Sequence, residues 1–216
     1  MDTKSQAHTR LRCWLIALSV ALVVGVAGTG ASAQAATVID TTPQWQGFPV
    51  CNFGGDGGAA TFGQVITAPS QDRTLDSFTF FVRDAFVPAT LIFRGEVYEW
   101  DGVKAKAKVW ESGPRRVVLE PHFSVFFETE TFATGGARLD GGKQYVLFLT
   151  VSRDFEKLAS PAFGCMGMLL SDGYAGGQFM SLNNRADVSQ WTTVPWSPLP
   201  DGPTWDLAFT ASFSRG

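Results

Sequence analysis

The sequence contains few residues of the types that perform catalysis or bind transition metals. Its 216 residues include two histidines and three cysteines. One of each lies within the first 13 residues, so the rest of the chain keeps only His122, Cys51 and Cys165. A zinc site takes four ligands, mostly nitrogen and sulfur. We therefore expect no zinc site and no metal cofactor of this kind.

Only one apolar run is long enough to suggest a targeting or membrane segment. It extends from Trp14 to Gly28, follows a region with three basic side chains, and ends in the small residues TGASAQA. This arrangement is typical of a secretory signal peptide, whereas a spanning helix needs roughly 20 apolar residues. We predict a signal peptide over residues 1–33, cleaved before Gln34 or Ala36. A retained membrane anchor is the alternative.

The exported chain would have a negative net charge and no basic block. Cleavage removes Lys4, Arg10, Arg12 and Asp2, which leaves 14 basic and 19 acidic side chains and one histidine, His122. No cluster of lysine and arginine is available to neutralise phosphates. We expect no nucleic-acid partner and no membrane span after cleavage. The expected location is the periplasm or the extracellular medium.

The two remaining cysteines fit an oxidising compartment. One disulfide between Cys51 and Cys165 is the simplest prediction for an exported chain. Two unpaired buried thiols are the alternative. A catalytic cysteine would depend on a single histidine for its activation.

No segment after the signal peptide has an apolar stripe at helical spacing over three turns. Short strand-like segments recur about every 10 to 15 residues, and turn-forming residues end each one. Residues 34–60 lack such a period, and we expect an irregular N-terminal arm fastened by Cys51. Residues 61–216 predict one all-β domain. Its expected form is an antiparallel β-sandwich of eight or nine strands in jelly-roll or Greek-key order.

One phenylalanine-rich strand illustrates the expected core. By the two-residue period, Phe78, Phe80 and Val82 would share one face, and Leu75 and Phe81 the other. Each fully buried phenyl group contributes roughly 1.5–3 kcal/mol. We therefore expect a core filled mainly by phenylalanine.

The order of several motifs resembles a known group of proteins. FGQVITAP, LDSFTFF, VYEWDG, WESGP, LNN and DLAFTASF follow one another between residues 61 and 213. This succession is similar to that of uncharacterised exported bacterial β-sandwich proteins, many of which carry PEP-CTERM-type sorting tails. The resemblance implies export and a sandwich fold but no activity. The chain ends in SFSRG without such a tail, and we expect release rather than anchoring.

Paired acidic residues are the candidates for catalysis, because glycosidases use two carboxylates. Glu128 and Glu130 are two residues apart, so they would share a strand face. Glu96 and Glu99 would point to opposite faces. His122 lies near no nucleophile motif such as GxSxG. The simpler interpretation, which we favour, is that the four glutamates lie on solvated strand faces and that His122 lies on the surface at the start of a strand.

Calcium ligands and a phosphate loop are also suggested by local composition. Asp140, Asp172, Asp187 and Asp201 lie in turns, but none belongs to a dense series of acidic residues. We therefore expect no cofactor, with a structural calcium ion as the alternative. The glycine-rich segment at 54–58 precedes a strand rather than a helix, so it predicts a turn and not a phosphate site.

Aromatic residues near the C-terminus are the positive functional signal. A proline-rich loop carries Trp191 and Trp196, which either stack on sugar rings or cover one end of the sandwich. The candidate ligand-binding residues are Trp191, Trp196, Tyr174, Gln178, Asn183 and Asn184. We expect a non-catalytic module that binds an extracellular glycan or matrix component, or has a structural role. The alternative is a jelly-roll polysaccharide hydrolase that uses Glu128 and Glu130.

Overall fold

The computed structural model describes residues 37–55, 58–85, 89–119, 126–158, 162–199 and 204–216. The predicted signal peptide, His122 and Asp201 lie outside these residues. Within the described ranges, thirteen strands form two antiparallel sheets, and side chains from both sheets meet in one core. This confirms the predicted all-β antiparallel sandwich, although the thirteen described strands exceed the eight or nine expected.

The strands are numbered in chain order. They are β1 (Thr37–Asp40), β2 (Pro49–Gly54), β3 (Thr61–Thr67), β4 (Thr74–Asp84), β5 (Ala89–Trp100), β6 (Ala105–Glu111), β7 (Arg115–Leu119), β8 (Glu128–Arg138), β9 (Gln144–Thr150), β10 (Phe163–Leu169), β11 (Phe179–Leu182), β12 (Asp206–Leu207) and β13 (Phe209–Ser214). Helical structure consists of the 3₁₀ turns Thr42–Gln44 and Ser152–Lys157 and one short helix, α1 (Gln190–Thr193). No helix in the described ranges is long and apolar enough to cross a bilayer.

The first sheet is organised around β4 and β10. Strand β4 pairs with β8 along one edge and with β13 and then β10 along the other. Strand β1 continues this sheet beyond β13, while β2 pairs with the far edge of β10.

The second sheet has the order β11, β3, β9 and β5. Strands β6 and β7 follow each other along the remaining edge of β5. The rings of Phe53 in the first sheet and Phe62 in the second lie 5.5 Å apart between the sheets. Their contact is one of many that join the two layers through phenylalanine, as predicted.

The segment expected to be an irregular arm contains two strands instead. Strand β1 pairs with β13, and β2 pairs with β10. A shift of register at Cys165 and the positive φ of Asn52 (70°) obscure the period of β2 in the sequence. Pro49 is the first residue of β2, where a strand tolerates proline. The prediction of an irregular arm was wrong over these two strands.

The side-chain faces of β4 differ from the prediction because the strand contains a β-bulge. The pairing with both β8 and β13 shifts near Asp76. An extra residue in one strand moves the residues before it to the other face. Leu75 therefore joins Phe78 and Phe80 in the core instead of facing outward. The prediction failed because a strict two-residue period assumes an unbroken ladder.

Close packing explains the glycine within β5. A Cβ atom at Gly95 would lie 2.7 Å from Cδ1 of Phe132, so any larger residue would displace that ring. Phe132 in turn stacks on Phe78 with ring centroids 5.1 Å apart. Gly95 thus allows β8 to approach β5.

The predicted disulfide is present. Cys51 in β2 and Cys165 in β10 are paired across the two strands and are bonded to each other, at a sequence separation of 114 residues. The bond therefore joins the N-terminal strands directly to the centre of the first sheet.

We expect loss of this bond to destabilise the fold strongly. The chain-entropy model gives about 4–5 kcal/mol for a loop of this length. Replacing both cysteines with alanine should lower the free energy of urea unfolding by about that amount. Reductant should lower it similarly in the wild type and have no effect on the double variant. Equal stability of oxidised and reduced wild type would contradict the expectation.

Candidate functional site

The two tryptophans predicted to face a ligand are buried. Trp191 is 1% exposed and Trp196 is 4% exposed. Both rings pack edge-on against Phe148, with centroids 5.3 Å away in each case. They are buried, as the alternative interpretation held, but they cover the outer face of the second sheet rather than one end of the sandwich. In this conformation neither ring has a face for stacking on a sugar, and the predicted binding role is corrected.

Hydrogen bonds fix the indoles under their loop. Nε1 of Trp191 donates to Oγ1 of Thr61 at 3.2 Å, and Nε1 of Trp196 donates to the carbonyl of Trp191 at 3.0 Å. Asn184 is 2% exposed, and its Oδ1 accepts hydrogen bonds from Thr61 Oγ1 (2.9 Å) and Ser152 Oγ (3.0 Å). Asn184 therefore holds the loop to β3, and its predicted ligand role is also corrected.

The other predicted binding residues do not form one surface. Tyr174 is partly buried, and its hydroxyl accepts from the amide of Thr67 (3.1 Å) and donates to the carbonyl of Thr67 (3.2 Å). The side chain of Gln178 donates to the sulfur of Met180. Asn183 is exposed. Tyr174 and Gln178 therefore make contacts within the protein, and only the side chain of Asn183 is exposed to solvent.

We expect Trp191→Ala and Trp196→Ala to behave as core substitutions. Each should cost about 3–5 kcal/mol of unfolding free energy, because each leaves a large cavity. Val194→Ala in the same loop should change stability by less than about 0.5 kcal/mol, since this side chain is 36% exposed. Urea unfolding followed by circular dichroism measures both. Wild-type stability in the tryptophan variants would show that the rings are not buried in solution.

A buried acid organises the loop that carries Tyr174. Asp206 is fully buried, and its Oδ1 accepts from the side-chain amide of Gln64 at 2.7 Å. Its Oδ2 accepts from the amides of Gly173 and Tyr174, both at 2.8 Å. Desolvation raises the pKa of Asp206 to about 6, although these three donors oppose the shift. The carboxyl group joins β12 to the 173–174 turn and to β3.

This raised pKa predicts a pH dependence of stability. The folded protein binds the Asp206 proton more tightly than the unfolded chain does. The contribution is complete below about pH 4 and is lost as the pH rises through about 6. The free energy of unfolding should fall over this window relative to that of Asp206→Asn, measured by urea titration. Asp140→Asn, at an exposed site, should keep the wild-type slope between about pH 4 and 6, because Lys143 lowers the pKa of Asp140 and its titration therefore lies below this window. Parallel profiles for wild type and Asp206→Asn would contradict the assignment.

The predicted catalytic carboxylates have different surroundings. Glu130 is 8% exposed, and its Oε2 lies 3.0 Å from Nη1 of Arg115. The same guanidinium lies over the ring of Phe132, 4.0 Å from its centroid. Glu128 is exposed and lines a cleft. Of the two predicted catalytic residues, Glu130 is therefore held in an ion pair with Arg115.

Glu96 also serves an internal ion pair. Its side chain is fully buried, and its Oε1 lies 2.7 Å from Nε of Arg153. Burial raises the pKa of Glu96, and burial with the nearby Glu96 charge raises the pKa of Tyr98 to about 12. Arg153 also lies 5.0 Å from the ring centroid of Trp191. These contacts attach the Ser152–Lys157 turn to β5.

Two of the acidic residues considered for calcium, Asp140 and Asp187, have partners within the fold. Asp140 pairs with Lys143, which lowers the pKa of Asp140. Asp187 accepts hydrogen bonds from Ser189 and Gln190, which lower its pKa. Among the described residues, no group of three or more acidic, histidine or cysteine side chains is arranged to hold a metal ion.

The outer face of the first sheet carries an aromatic cluster that sequence analysis missed. We name it the aromatic platform, and it consists of Trp45, Phe81 and Phe127, all partly exposed. The ring centroid of Trp45 lies 5.2 Å from that of Phe81 and 4.6 Å from that of Phe127. The guanidinium of Arg83 lies 5.1 Å from the centroid of Phe127.

Strand β10 supports the platform from below. A Cβ atom at Gly167 would lie 2.6 Å from Cζ2 of Trp45, so only glycine lets the indole lie against this strand. The carbonyl of Phe48 accepts from Nε1 of Trp45 at 2.9 Å and from the amide of Met168 at 2.8 Å. The turn that carries Trp45 is therefore fixed to β10.

A cleft lies at each end of the platform. The first has a volume of about 260 Å³, and the described residues that line it are Arg83, Asp84, Leu119, Phe126, Phe127, Glu128 and Thr129. The second has a volume of about 210 Å³, and its lining within the described part of the chain consists of Gln44, Gln46, Phe48, Met168, Leu169, Leu170 and Ser171. The lining of the two clefts thus combines aromatic and aliphatic side chains with amides, hydroxyls and a few charged groups.

Long-range pairing explains why the sequence did not reveal this site. Trp45 precedes β2, Phe81 lies in β4, and Phe127 immediately precedes β8. The three lie in separate segments of the sequence, and no local pattern distinguishes Phe81 or Phe127 from the phenylalanine that directly precedes each of them. Only the order of strands in the first sheet brings the three together. The proline-rich sequence around Trp196 gave a stronger local signal, but Trp191 and Trp196 are buried.

Comparison with known proteins gives limited information. No family model and no curated protein matches the chain. One similar solved structure contains the cysteine protease and lectin-like domains of Cwp84, a surface layer associated protein of Clostridium difficile. It has a TM-score of 0.44 and 12% identity, and the match covers 72% of this chain and 32% of that one.

A second structure is that of the same clostridial cysteine protease after propeptide cleavage. Its TM-score is 0.45 at 12% identity, with 72% of this chain and 36% of that chain covered. This chain therefore spans about a third of the length of each structure. Similarity at this level carries no conclusion about activity or ligand.

Proposed function

We propose that this protein is an exported, non-catalytic β-sandwich module that binds an extracellular glycan or matrix component through the aromatic platform. The observation that supports the proposal most directly is the set of partly exposed rings on the outer face of the first sheet, with a polar-lined cleft at each end.

The chemistry of this surface suits sugars. Aromatic rings offer apolar area at low conformational cost, and the apolar faces of pyranose rings pack against them. Amide and hydroxyl groups beside the rings, such as those of Gln46 and Thr129, match sugar hydroxyls. Binding sites typically combine mostly apolar walls with a few placed polar groups.

The placement of the acidic residues supports a binding role over hydrolysis. A glycosidase needs two carboxyl groups on either side of the scissile bond. Of the predicted pair, Glu130 is engaged in the Arg115 ion pair, and only Glu128 lines the cleft beside the platform. The other carboxyl group in the described lining of that cleft, Asp84, is only 6% exposed. Two further buried acids, Glu96 and Asp206, bind residues of their own fold.

Export is supported by the disulfide and by the sequence. A disulfide persists mainly in oxidising compartments. The N-terminal basic and apolar pattern is typical of a signal peptide. The motif order also resembles that of exported bacterial sandwich proteins. We therefore place the module at the cell envelope or outside the cell.

Affinity electrophoresis through gels that contain polysaccharide tests this function. The native protein should be retarded by at least one polysaccharide, and Trp45→Ala should abolish the retardation. Loss of an aromatic anchor costs about 2 kcal/mol or more, which is about thirtyfold in Kd. Trp100→Ala is the matched control, because Trp100 is a partly exposed indole on the second sheet. This variant should be retarded as strongly as the wild type.

Three outcomes would contradict the proposal. Retardation of Trp45→Ala at the wild-type level would exclude the platform as the site. No retardation by any polysaccharide would favour a purely structural module. Reducing ends released by the wild type and not by Glu128→Gln would favour the hydrolase alternative. Circular dichroism of each variant confirms that it is folded.

A further inference from the structure

We infer that the platform and its two clefts form one continuous groove, which binds an internal stretch of an uncharged polysaccharide. This inference rests on the proposed function, because it specifies the ligand of the same surface. It adds two statements about the ligand. The protein recognises the interior of a polysaccharide chain rather than a terminal sugar, and it does not bind polyanionic glycans.

The pairing of β10 gives the order of the three parts. Asp84 and Arg83, which line the first cleft, pair with Gly164 and Cys165 near the start of this strand. Trp45 lies against Gly167 in the middle. The second cleft contains Leu169 at the end of the strand. The parts therefore follow one another along a single direction.

The same register gives the length of the groove. From Gly164 to Leu170 the strand and its next residue rise about 20 Å, at about 3.3 Å per residue. A single sugar ring is much shorter than this distance. One ring would cover the platform and leave both clefts empty, whereas a linear oligomer would reach all three parts. The arrangement therefore favours a chain that lies along the sheet.

The polar groups of the groove favour an uncharged ligand. Among the residues that the structure describes, no ionisable side chain lines the second cleft, whose polar residues are Gln44, Gln46 and Ser171. The described lining of the first cleft includes the exposed carboxyl group of Glu128, which repels an anionic ligand. Amide groups suit hydroxyl groups of neutral sugars.

Oligomer length is the first test. The protein is titrated with a ladder of β-linked xylose and glucose oligomers, from the disaccharide upwards, by calorimetry. Affinity should rise with each added unit until the groove is filled and then stay constant. In affinity electrophoresis, at least one of the uncharged polysaccharides xylan, hydroxyethylcellulose and dextran should retard the protein. Gels that contain polygalacturonate or alginate should not.

Variants at the two ends of the groove are the second test. Gln46→Ala and Glu128→Ala should each weaken binding of long oligomers about fivefold, the loss expected for about one hydrogen bond. Neither should weaken binding of the shortest oligomer that binds, since that ligand covers only the platform. Glu156→Ala, an exposed acid outside the groove, should bind all lengths as the wild type does.

The outcomes separate this inference from the proposed function. If Trp45→Ala abolishes binding but a monosaccharide or disaccharide binds as tightly as a long oligomer, the groove is disproved and the binding function stands. The same holds if acidic polysaccharides bind through Trp45. If no glycan binds, or if Trp45→Ala binds normally, both proposals fail.

Discussion

The hydrogen bonding of β10 to β2, β4 and β12 is the constraint on which the candidate site depends. This strand contributes Met166 and Met168 to the core and places Gly167 on the outer face. Its pairing with β2 brings Cys51 to Cys165 and the preceding turn, with Trp45, onto that face. Its pairing with β4 brings Arg83 beside it. One strand thus connects the core, the disulfide and the surface aromatic residues.

The two outer faces of the sandwich use their aromatic residues differently. On the second sheet, residues 183–199 fold back and bury Trp191 and Trp196 over Phe148. On the first sheet, Trp45 and its neighbours cover part of the strand surface and stay partly exposed. Partial exposure of several adjacent rings is unusual for a surface with no partner. This asymmetry is the reason why we propose ligand recognition on the first sheet and a stabilising role for the tryptophans on the second.

The fold was more predictable from the sequence than the site was. Turn residues and strand periods identified the sandwich and its phenylalanine core, because both follow from local sequence patterns. The disulfide followed from the number of cysteines and the expected export of the chain. Leu75 was misplaced because a bulge changes the period without changing the composition. The strand over residues 49–54 was missed because Pro49 and Asn52 hide it. The platform was missed because its three rings come from distant segments, and strand order cannot be read from one sequence.

The use of charge in this protein bears on the kind of ligand it can recognise. The buried acids Glu96 and Asp206 receive strong donors within the fold, and each fixes a turn to a strand. Such groups cannot serve a ligand without loosening the structure they hold. In the proposed groove, recognition would then depend mainly on rings, amides and hydroxyls and on the carboxylate of Glu128 as a hydrogen-bond acceptor. Hydrogen bonds to neutral sugars depend less on ionic strength than interactions between exposed charges do. A sandwich built in this way is better suited to a neutral, hydroxyl-rich polymer than to a charged one.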